Sequence, residues 1–438
     1  MSVDYAEPLS SSPPPPRTRP RMRKGAPRPR GGILAALDIG TGKICCFIAK
    51  ATDEGPQIIG IGHQVSRGVR NGVIVDLDAA SAAILTAIHA AEQMAGETIS
   101  EIVVNLSGSF PPSRIIGVEV SVAGHEIGDG DMRRVLDQGY HLKDTGEREV
   151  IHSIPVGFSI DGSRGIRDPR GMFGKKLGVN MHIVAAKPAA LRNITAAVGR
   201  CHLDIGGIVA SPYASGLAAL VEDETDLGVT IIDMGAGTTT IGVFFDKNLI
   251  FADSIPVGGG HVTNDIARGL STPLVHAERM KTLYGSALAS ASDERETISV
   301  PQVGEEEDGQ ANHVPKSLLV GIISPRLEET FELVRNRLEA SGYDKVAGRR
   351  VVLTGGACQL PGTRELAGLI LDKQIRIGRP LRVAGLAEAT GGPAFSTCVG
   401  LLNFALSERP ETARQARSYA GPPAGLLGRV GNWLKENF

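Results

Sequence analysis

LAALDIGTGKICCFIAK (34–50) and GVTIIDMGAGTTTIGVFFDKNLIFADSIPVGG (228–259) are the stretches whose reading decides the fold. Each is an apolar strand ending in Asp, a glycine-rich turn and a second apolar strand; the later copy adds a third strand. Side by side, Asp38 falls with Asp233, Gly40 with Gly235, and Thr41 near Thr238. The match is weak in identity and strong in type. It reads as an internal duplication: two α/β halves, each opening on a β-hairpin, with a cleft between them.

Such turns suit a phosphate. Gly40, Gly42, Gly235 and Gly237 let the backbone turn tightly and approach an anion with no Cβ in the way. Successive N–H groups make an anion-binding concavity, and the hydroxyls of Thr41, Thr238 and Thr239 add donors. The Asp ending each strand is repelled by phosphate. Asp38 and Asp233 are placed instead to hold the waters of a Mg2+ that bridges the phosphates. Either turn alone reads equally well as an ordinary strand–turn with a capping Asp, so the recurrence carries the reading. No GxxxxGK[ST] occurs, and no GxGxxG follows the first strand, which sets aside the P-loop and dinucleotide-binding patterns.

Two shorter elements add to these. In TGGACQLPG (354–362) a double glycine, Gly355–Gly356, follows an apolar strand, permits close approach of a flat ring, and puts Gln359 within reach of a base or ribose; it also reads as a plain helix-entry turn. In HAERMK, Glu278 and Lys281 lie three residues apart and share a helix face. That spacing suits ribose hydroxyls, and equally a surface ion pair.

Composition bounds the class. A chain of 438 residues exceeds one usual core, so several domains are expected. Hydrophobic residues at 42% and charged residues at 21% are ordinary for a globular protein, and a net charge of -2 gives no sign of nucleic acid as a partner. Cys45, Cys46, Cys201, Cys358 and Cys398 form no CxxC pair and no zinc spacing; they read as buried, reduced thiols. No stretch reaches the ~20 apolar residues of a membrane span, and the N-terminus lacks the apolar core of a signal peptide. The folded part is expected in the cytoplasm.

Along the chain, residues 1–30 form a Pro/Arg-rich tail with too little apolar content to fold. Order begins at Ile33, with strands also expected in IIGIGHQVS, GVIVDLD and EIVVNLSG. A helix is expected over 78–95, capped by Asp76 or Asp78, with Ile84, Leu85, Ile88 and Met94 near one face. The first lobe takes 31–113 and 194–227, and a compact subdomain of short strands and one helix (129–140) is inserted over 114–193. The second lobe takes 228–270 and 346–406, with a smaller subdomain over 271–345. Within that subdomain, 292–316 reads as an exposed loop with one short strand. A helix over 325–341 follows, with Pro325 in its first turn and Leu327, Phe331, Val334 and Leu338 on one face. Residues 407–424 read as a polar linker.

The last segment, GLLGRVGNWLKENF (425–438), is amphipathic. On a helix, Leu426, Leu427, Val430, Trp433, Leu434 and Phe438 fall within an arc of about 140° that excludes Arg429, Asn432, Lys435 and Glu436. Trp and flanking basic residues fit a helix lying in a membrane interface. Fourteen residues with Gly428 and Gly431 are marginal as an isolated helix, so one tip anchors weakly and several along a polymer anchor by avidity.

Taken in order, these elements resemble the actin, Hsp70 and sugar-kinase superfamily and, within it, the bacterial FtsA cell-division family. The resemblance covers roughly 33–405 and the C-terminal tip. It rests on LDIGTGKI, IPVGFSIDG with GIRDPRGMFGKKLGVNMHIV, IPVGGGHVTNDIA, HAERMK, ISPRLEE, VVLTGGACQLPG and TCVGLLNF. It implies an actin-like two-lobed fold with an FtsA-type insert, ATP with Mg2+ between the lobes, actin-like filaments, and tethering of the FtsZ ring to the inner face of the cytoplasmic membrane at the division site. The FtsZ C-terminal tail would dock on 271–345, and other division proteins are further candidate partners. By the same resemblance the phosphate turns are Asp38 to Lys43 and Asp233 to Thr239, Ala236 included. Gly258, Gly259 and Gly260 lie near the nucleotide, Glu278 and Lys281 hold the ribose, and Gly355, Gly356, Ala357 and Gln359 face the adenosine.

The chain departs from the family pattern in three places. It reads GGG at 258–260 where relatives carry GG or GN. Its loop at 304–310, GEEEDGQ, is acidic where relatives are often basic. Ser211 stands where hydrolytic relatives place a Glu or Gln that orients water. At most slow ATP hydrolysis is therefore expected, and no catalytic residue is assigned. The alternative, a phosphotransferase of the sugar-kinase type, needs a further catalytic carboxylate and has no use for an amphipathic tip.

Overall fold

The duplicated hairpins seed two sheets, and everything else is arranged around them. The computed structural model describes residues 32–141, 147–304, 312–381 and 383–407. The first lobe begins with β1 (Ile33–Ile39), β2 (Lys43–Thr52), β3 (Gly55–Val65), β4 (Val69–Arg70), β5 (Val73–Ile74), α1 (Leu77–Ala95) and β6 (Glu101–Leu106). The insert follows as β7 (Arg114–Ser121), α2 (Asp129–Tyr140), β8 (Glu149–Ile160), β9 (Ser163–Ile166) and β10 (Lys176–Ala186). Next come α3 (Pro188–Arg200), β11 (Asp204–Ala210), α4 (Ser211–Ala219) and α5 (Glu222–Leu227). The second lobe runs β12 (Val229–Met234), β13 (Thr239–Phe245), β14 (Asn248–Ile255), α6 (Gly259–Gly269), α7 (Leu274–Tyr284), β15 (Thr297–Val300), β16 (Asn312–Pro315), α8 (Lys316–Ser341), β17 (Arg350–Thr354), α9 (Thr363–Leu371), β18 (Gln374–Ile377) and α10 (Ser396–Leu406).

The two large sheets have one topology. The first is ordered β3-β2-β1-β6-β11 and the second β14-β13-β12-β17-β18. In each, three antiparallel strands from the hairpin repeat are extended by two parallel ones. The register also corrects the alignment of the repeats. Asp38 pairs with Cys45 across the first hairpin and Asp233 with Thr240 across the second. Gly40 N–H donates to Lys43 O at 3.0 Å, and Gly235 N–H to Thr238 O at 2.8 Å. Lys43, not Thr41, is thus the counterpart of Thr238.

The insert is a four-stranded antiparallel sheet, β7-β10-β8-β9, with its own small core around Val118, Val135, Leu177 and Met181. It touches the edge of the second sheet through Ser113, whose N–H donates to Ala252 O at 2.8 Å and whose hydroxyl accepts from Ala252 N at 2.7 Å. Helices α4 and α10 join the lobes. Tyr213 of α4 and Phe404 of α10 meet edge-on at 5.9 Å, and both belong to a core that also takes in Phe244 and Val352 of the second lobe. All five cysteines are buried and free. Among the described residues, no helix is long and apolar enough to cross a membrane.

Local differences from the expected elements have identifiable causes. Only Val73 and Ile74 of GVIVDLD join a strand. Asp76 is taken up as the N-cap of α1, accepting from Asp78 N and Ala79 N, which ends the strand early. Met94 is 60% exposed, because the buried stripe of α1 is completed by alanines at 80, 83, 87 and 91. The 292–316 region holds two paired strands, β15 and β16, where one was expected. Helix α8 starts at Lys316 rather than 325 and contains Pro325. An interior proline costs ~3 kcal/mol. Burial of Leu319, Val320 and Ile323 and the pairing of Lys316 with Asp293 at 3.2 Å and Glu296 at 2.9 Å hold the turns before it.

Candidate functional site

The two glycine turns, one from each lobe, meet. An ideal Cβ on Gly237 would lie 2.4 Å from Thr41 Oγ1, and one on Gly42 would lie 2.8 Å from Ala236 Cβ. Only glycine lets the turns approach this closely. Thr41 Oγ1 accepts from Gly72 N–H at 2.9 Å. Thr239 is fully buried and its hydroxyl donates to Val257 O at 2.8 Å, so it braces the turn and does not present a free donor.

The strand-end carboxylates lie behind the turns, both nearly buried. Asn105, a polar residue inside the apolar strand β6, organises the first. Its amide donates to Asp38 Oδ1 at 2.8 Å and to Ser211 Oγ at 3.1 Å, while its Oδ1 accepts from Ile39 N–H at 2.7 Å. Ser211 is thus joined to Asp38 through Asn105. Thr397, at the start of α10, donates to Asp233 Oδ2 at 2.7 Å. Burial pushes the Asp38 carboxyl above its ordinary range, opposed by the charge of Lys43. Burial pushes Asp233 up to about 6; the Thr397 hydrogen bond opposes this and the Asp38 charge adds to it.

Lys43 completes the set. Its Nζ is buried, has no hydrogen-bond partner, and sits 3.7 Å from the centroid of the Phe395 ring. An orphaned ammonium beside two desolvated carboxylates is the donor set that a phosphate chain with a divalent cation would satisfy. The ammonium suits the anion, and the carboxylates, through water, suit the metal.

The remaining candidates converge here. Gly259 N–H donates to Gly235 O at 2.9 Å and Gly260 N–H to Ala236 O at 2.7 Å, so the 258–260 loop stacks directly on the second glycine turn. Lys281 Nζ donates to Glu278 Oε2 at 2.7 Å, Thr263 Oγ1 at 2.8 Å and Gly259 O at 3.1 Å, which brings the α7 pair against that loop. Ala357 packs on Gly259, 3.0 Å from where a Cβ there would sit. Gln359 is tied to its own turn through Gly356 O at 3.3 Å.

At the double glycine the reason for the residue is different from the expected one. Gly355 has φ +86, and a Cβ there would lie 2.4 Å from Asp233 Oδ1 and 2.5 Å from Met234 O. The protein's own second turn fills that space, not a ring. Gly356 is the open one, with Ala394 Cβ nearest at 3.8 Å.

Sequence reasoning missed Asn105, Phe395 and Thr397. For Asn105 a signal existed, a lone amide in an apolar strand; the other two come from the far end of the chain. The candidate membrane residues Leu426 to Phe438, the tail over 1–30 and most of the acidic loop lie outside the described residues.

Comparison with known proteins agrees with this architecture. The family model Cell division protein FtsA matches residues 230–400, and the model of the SHS2 domain inserted in FtsA matches 112–185, the span of the inserted sheet. Cell division protein FtsA of Rhizobium meliloti (strain 1021) is 46% identical over 432 residues, covering 96% of this chain and 98% of that one. The Escherichia coli (strain K12) protein of the same name is 32% identical over 423 residues, covering 93% and 98%. Among solved structures, a PilM-PilN type IV pilus biogenesis complex aligns with TM-score 0.60 at 17% identity, over 86% of this chain and all of that chain (100%). MreB5 of Spiroplasma citri bound to ADP aligns with TM-score 0.50 at 14% identity, over 88% and 99%. These structures show the actin-like fold, and the near full-length identity to curated relatives shows the rest: the chain belongs to the FtsA family of cell-division proteins.

Proposed function

We propose that this chain binds ATP with Mg2+ between its lobes, assembles like actin, and tethers the tail of FtsZ to the inner face of the cytoplasmic membrane through residues 425–438. The observation that carries the nucleotide reading is Lys43, a buried ammonium with no hydrogen-bond partner where the two glycine turns meet. Bound Mg2+ would neutralise phosphate charge. Asp38 and Asp233 would hold its waters, Lys43 and the turn amides would face the phosphates, and Glu278, Lys281 and the Gly355–Gln359 turn would border the nucleoside.

Hydrolysis is expected to be slow. Ser211 is 3% exposed and its hydroxyl is engaged by Asn105, so it is poorly placed to orient an attacking water. Nucleotide then acts chiefly as a ligand that sets the lobes. The subdomain offered to the FtsZ tail carries α7, where Val275 is 79% and Leu283 58% exposed, apolar surface of the kind a peptide covers.

Calorimetric titration of the full chain with ATP tests the core of this reading. Saturable one-to-one binding that weakens strongly when EDTA removes Mg2+ is expected. Absence of saturable binding, or binding indifferent to Mg2+, overturns it.

A further inference from the structure

The short helical turn Pro393–Phe395 joins both halves of the site. Pro393 O accepts from Gly355 N–H at 3.2 Å and from Thr354 Oγ1 at 3.1 Å, both in the second lobe. Two residues on, Thr397 holds Asp233. Between them Phe395 reaches into the first lobe. It stacks on Phe47 of β2 at 6.0 Å, with the ring planes 15° apart, and Lys43 Nζ lies over its ring, 3.7 Å from the centroid. Three residues of one five-residue segment, Pro393, Phe395 and Thr397, therefore touch the double-glycine turn, the Lys43 ammonium and the second carboxylate.

A buried ammonium is costly unless something compensates its charge. Asp38 and Asp233 both feel the Lys43 charge and are carboxylates with which it can pair. A π face attracts a cation without using its N–H donors directionally. We infer that Phe395 is a positioning residue for Lys43: its ring holds the ammonium off the two carboxylates and leaves its donors directed at the phosphates of a bound nucleotide. This rests on the nucleotide reading above. It adds a specific role for an aromatic residue on the Pro393–Phe395 turn, and it makes that turn a physical link between the phosphates and α10. Without the ring, Lys43 falls onto Asp38 or Asp233, where it is lost to the phosphates and competes with the metal.

The test is equilibrium binding of ATP and of adenosine, with Mg2+, to the full chain and its Phe395→Leu and Phe395→Tyr variants, read beside thermal melting. Phe395→Leu is expected to weaken ATP about tenfold, leave adenosine unchanged, and add nothing in a Lys43→Met background; Phe395→Tyr restores ATP affinity. A merely structural role would weaken ATP and adenosine together and would persist in the Lys43→Met background, which overturns the inference. Phe395→Met fills similar space without a π face and serves the same comparison if the leucine variant does not fold. Wild-type binding with an unaltered Phe395→Leu affinity overturns the role of Phe395 alone. A wild type that binds no ATP overturns both readings.

Discussion

Thr397 donates its hydroxyl to Asp233 at 2.7 Å across 164 residues of chain, so the first turn of the last described helix holds the carboxylate that ends the first strand of the second glycine-turn hairpin. That bond favours the ionised form of Asp233 against burial. Thr397→Val keeps the shape and removes the donor. It is expected to raise the Asp233 pKa further and weaken Mg2+-dependent ATP binding about tenfold or more, in line with about 1.5–3 kcal/mol for a hydrogen bond to a charged group. Thr397→Ser is expected to bind as wild type, and titration calorimetry separates the two.

Asp233 also makes the nucleotide-free protein pH-sensitive. Its carboxyl is pushed up to about 6 from an ordinary 3.8. A carboxyl whose pKa is raised on folding contributes stability that is fully present below the ordinary value and lost as pH rises through about 6. The protein is thus expected to gain on the order of 1 kcal/mol from this group between about pH 7.5 and about pH 5. Asp233→Asn should flatten that part of the profile and raise the melting temperature near neutral pH by a few degrees, while losing Mg2+-dependent binding. Scanning calorimetry at both pH values checks the sign.

The two glycines of the 355–356 turn should behave differently. Gly355→Ala forces a side chain to φ +86 and within 2.4 Å of Asp233 Oδ1; the expected outcome is a protein that melts much earlier or does not fold. At Gly356 a Cβ meets nothing closer than 3.8 Å. Gly356→Val is expected to melt as wild type and lose affinity for ATP and adenosine alike. Melting and binding measured on both variants distinguish a fold glycine from a site glycine.

The Glu278–Lys281 pair is half exposed on the glutamate side, at 55%, so its contribution to stability is small. Glu278→Ala should shift stability by less than about 1 kcal/mol and weaken ATP several-fold. If the carboxylate serves the ribose hydroxyls, 2′,3′-dideoxy-ATP will bind wild type and variant equally. Equal loss for both ligands would remove Glu278 from the ribose.

The parts of this molecule that were legible in its sequence are those set by local pattern. Strand–Gly-turn–strand repeats located both hairpins, and the helix expected over 129–140 coincides with α2. What was not legible depends on partners remote in sequence. Asn105 meets Asp38 across 67 residues and Ser211 across 106, and the duplication register needed the Gly40–Lys43 and Gly235–Thr238 bonds to show that Lys43 matches Thr238. Pro325 misled the start of α8, because tertiary burial of Leu319 and Ile323 outweighs the local preference for proline at a helix start.

If nucleotide-dependent assembly serves a membrane-binding tip, co-sedimentation with anionic liposomes reads both at once. The full chain should pellet with liposomes more completely with Mg-ATP than without, because assembly multiplies weak single anchors. A chain ending at residue 424 should stay in the supernatant under both conditions while binding ATP as tightly as the full chain. Equal pelleting of the two chains, or pelleting of the full chain indifferent to Mg-ATP, would contradict the account.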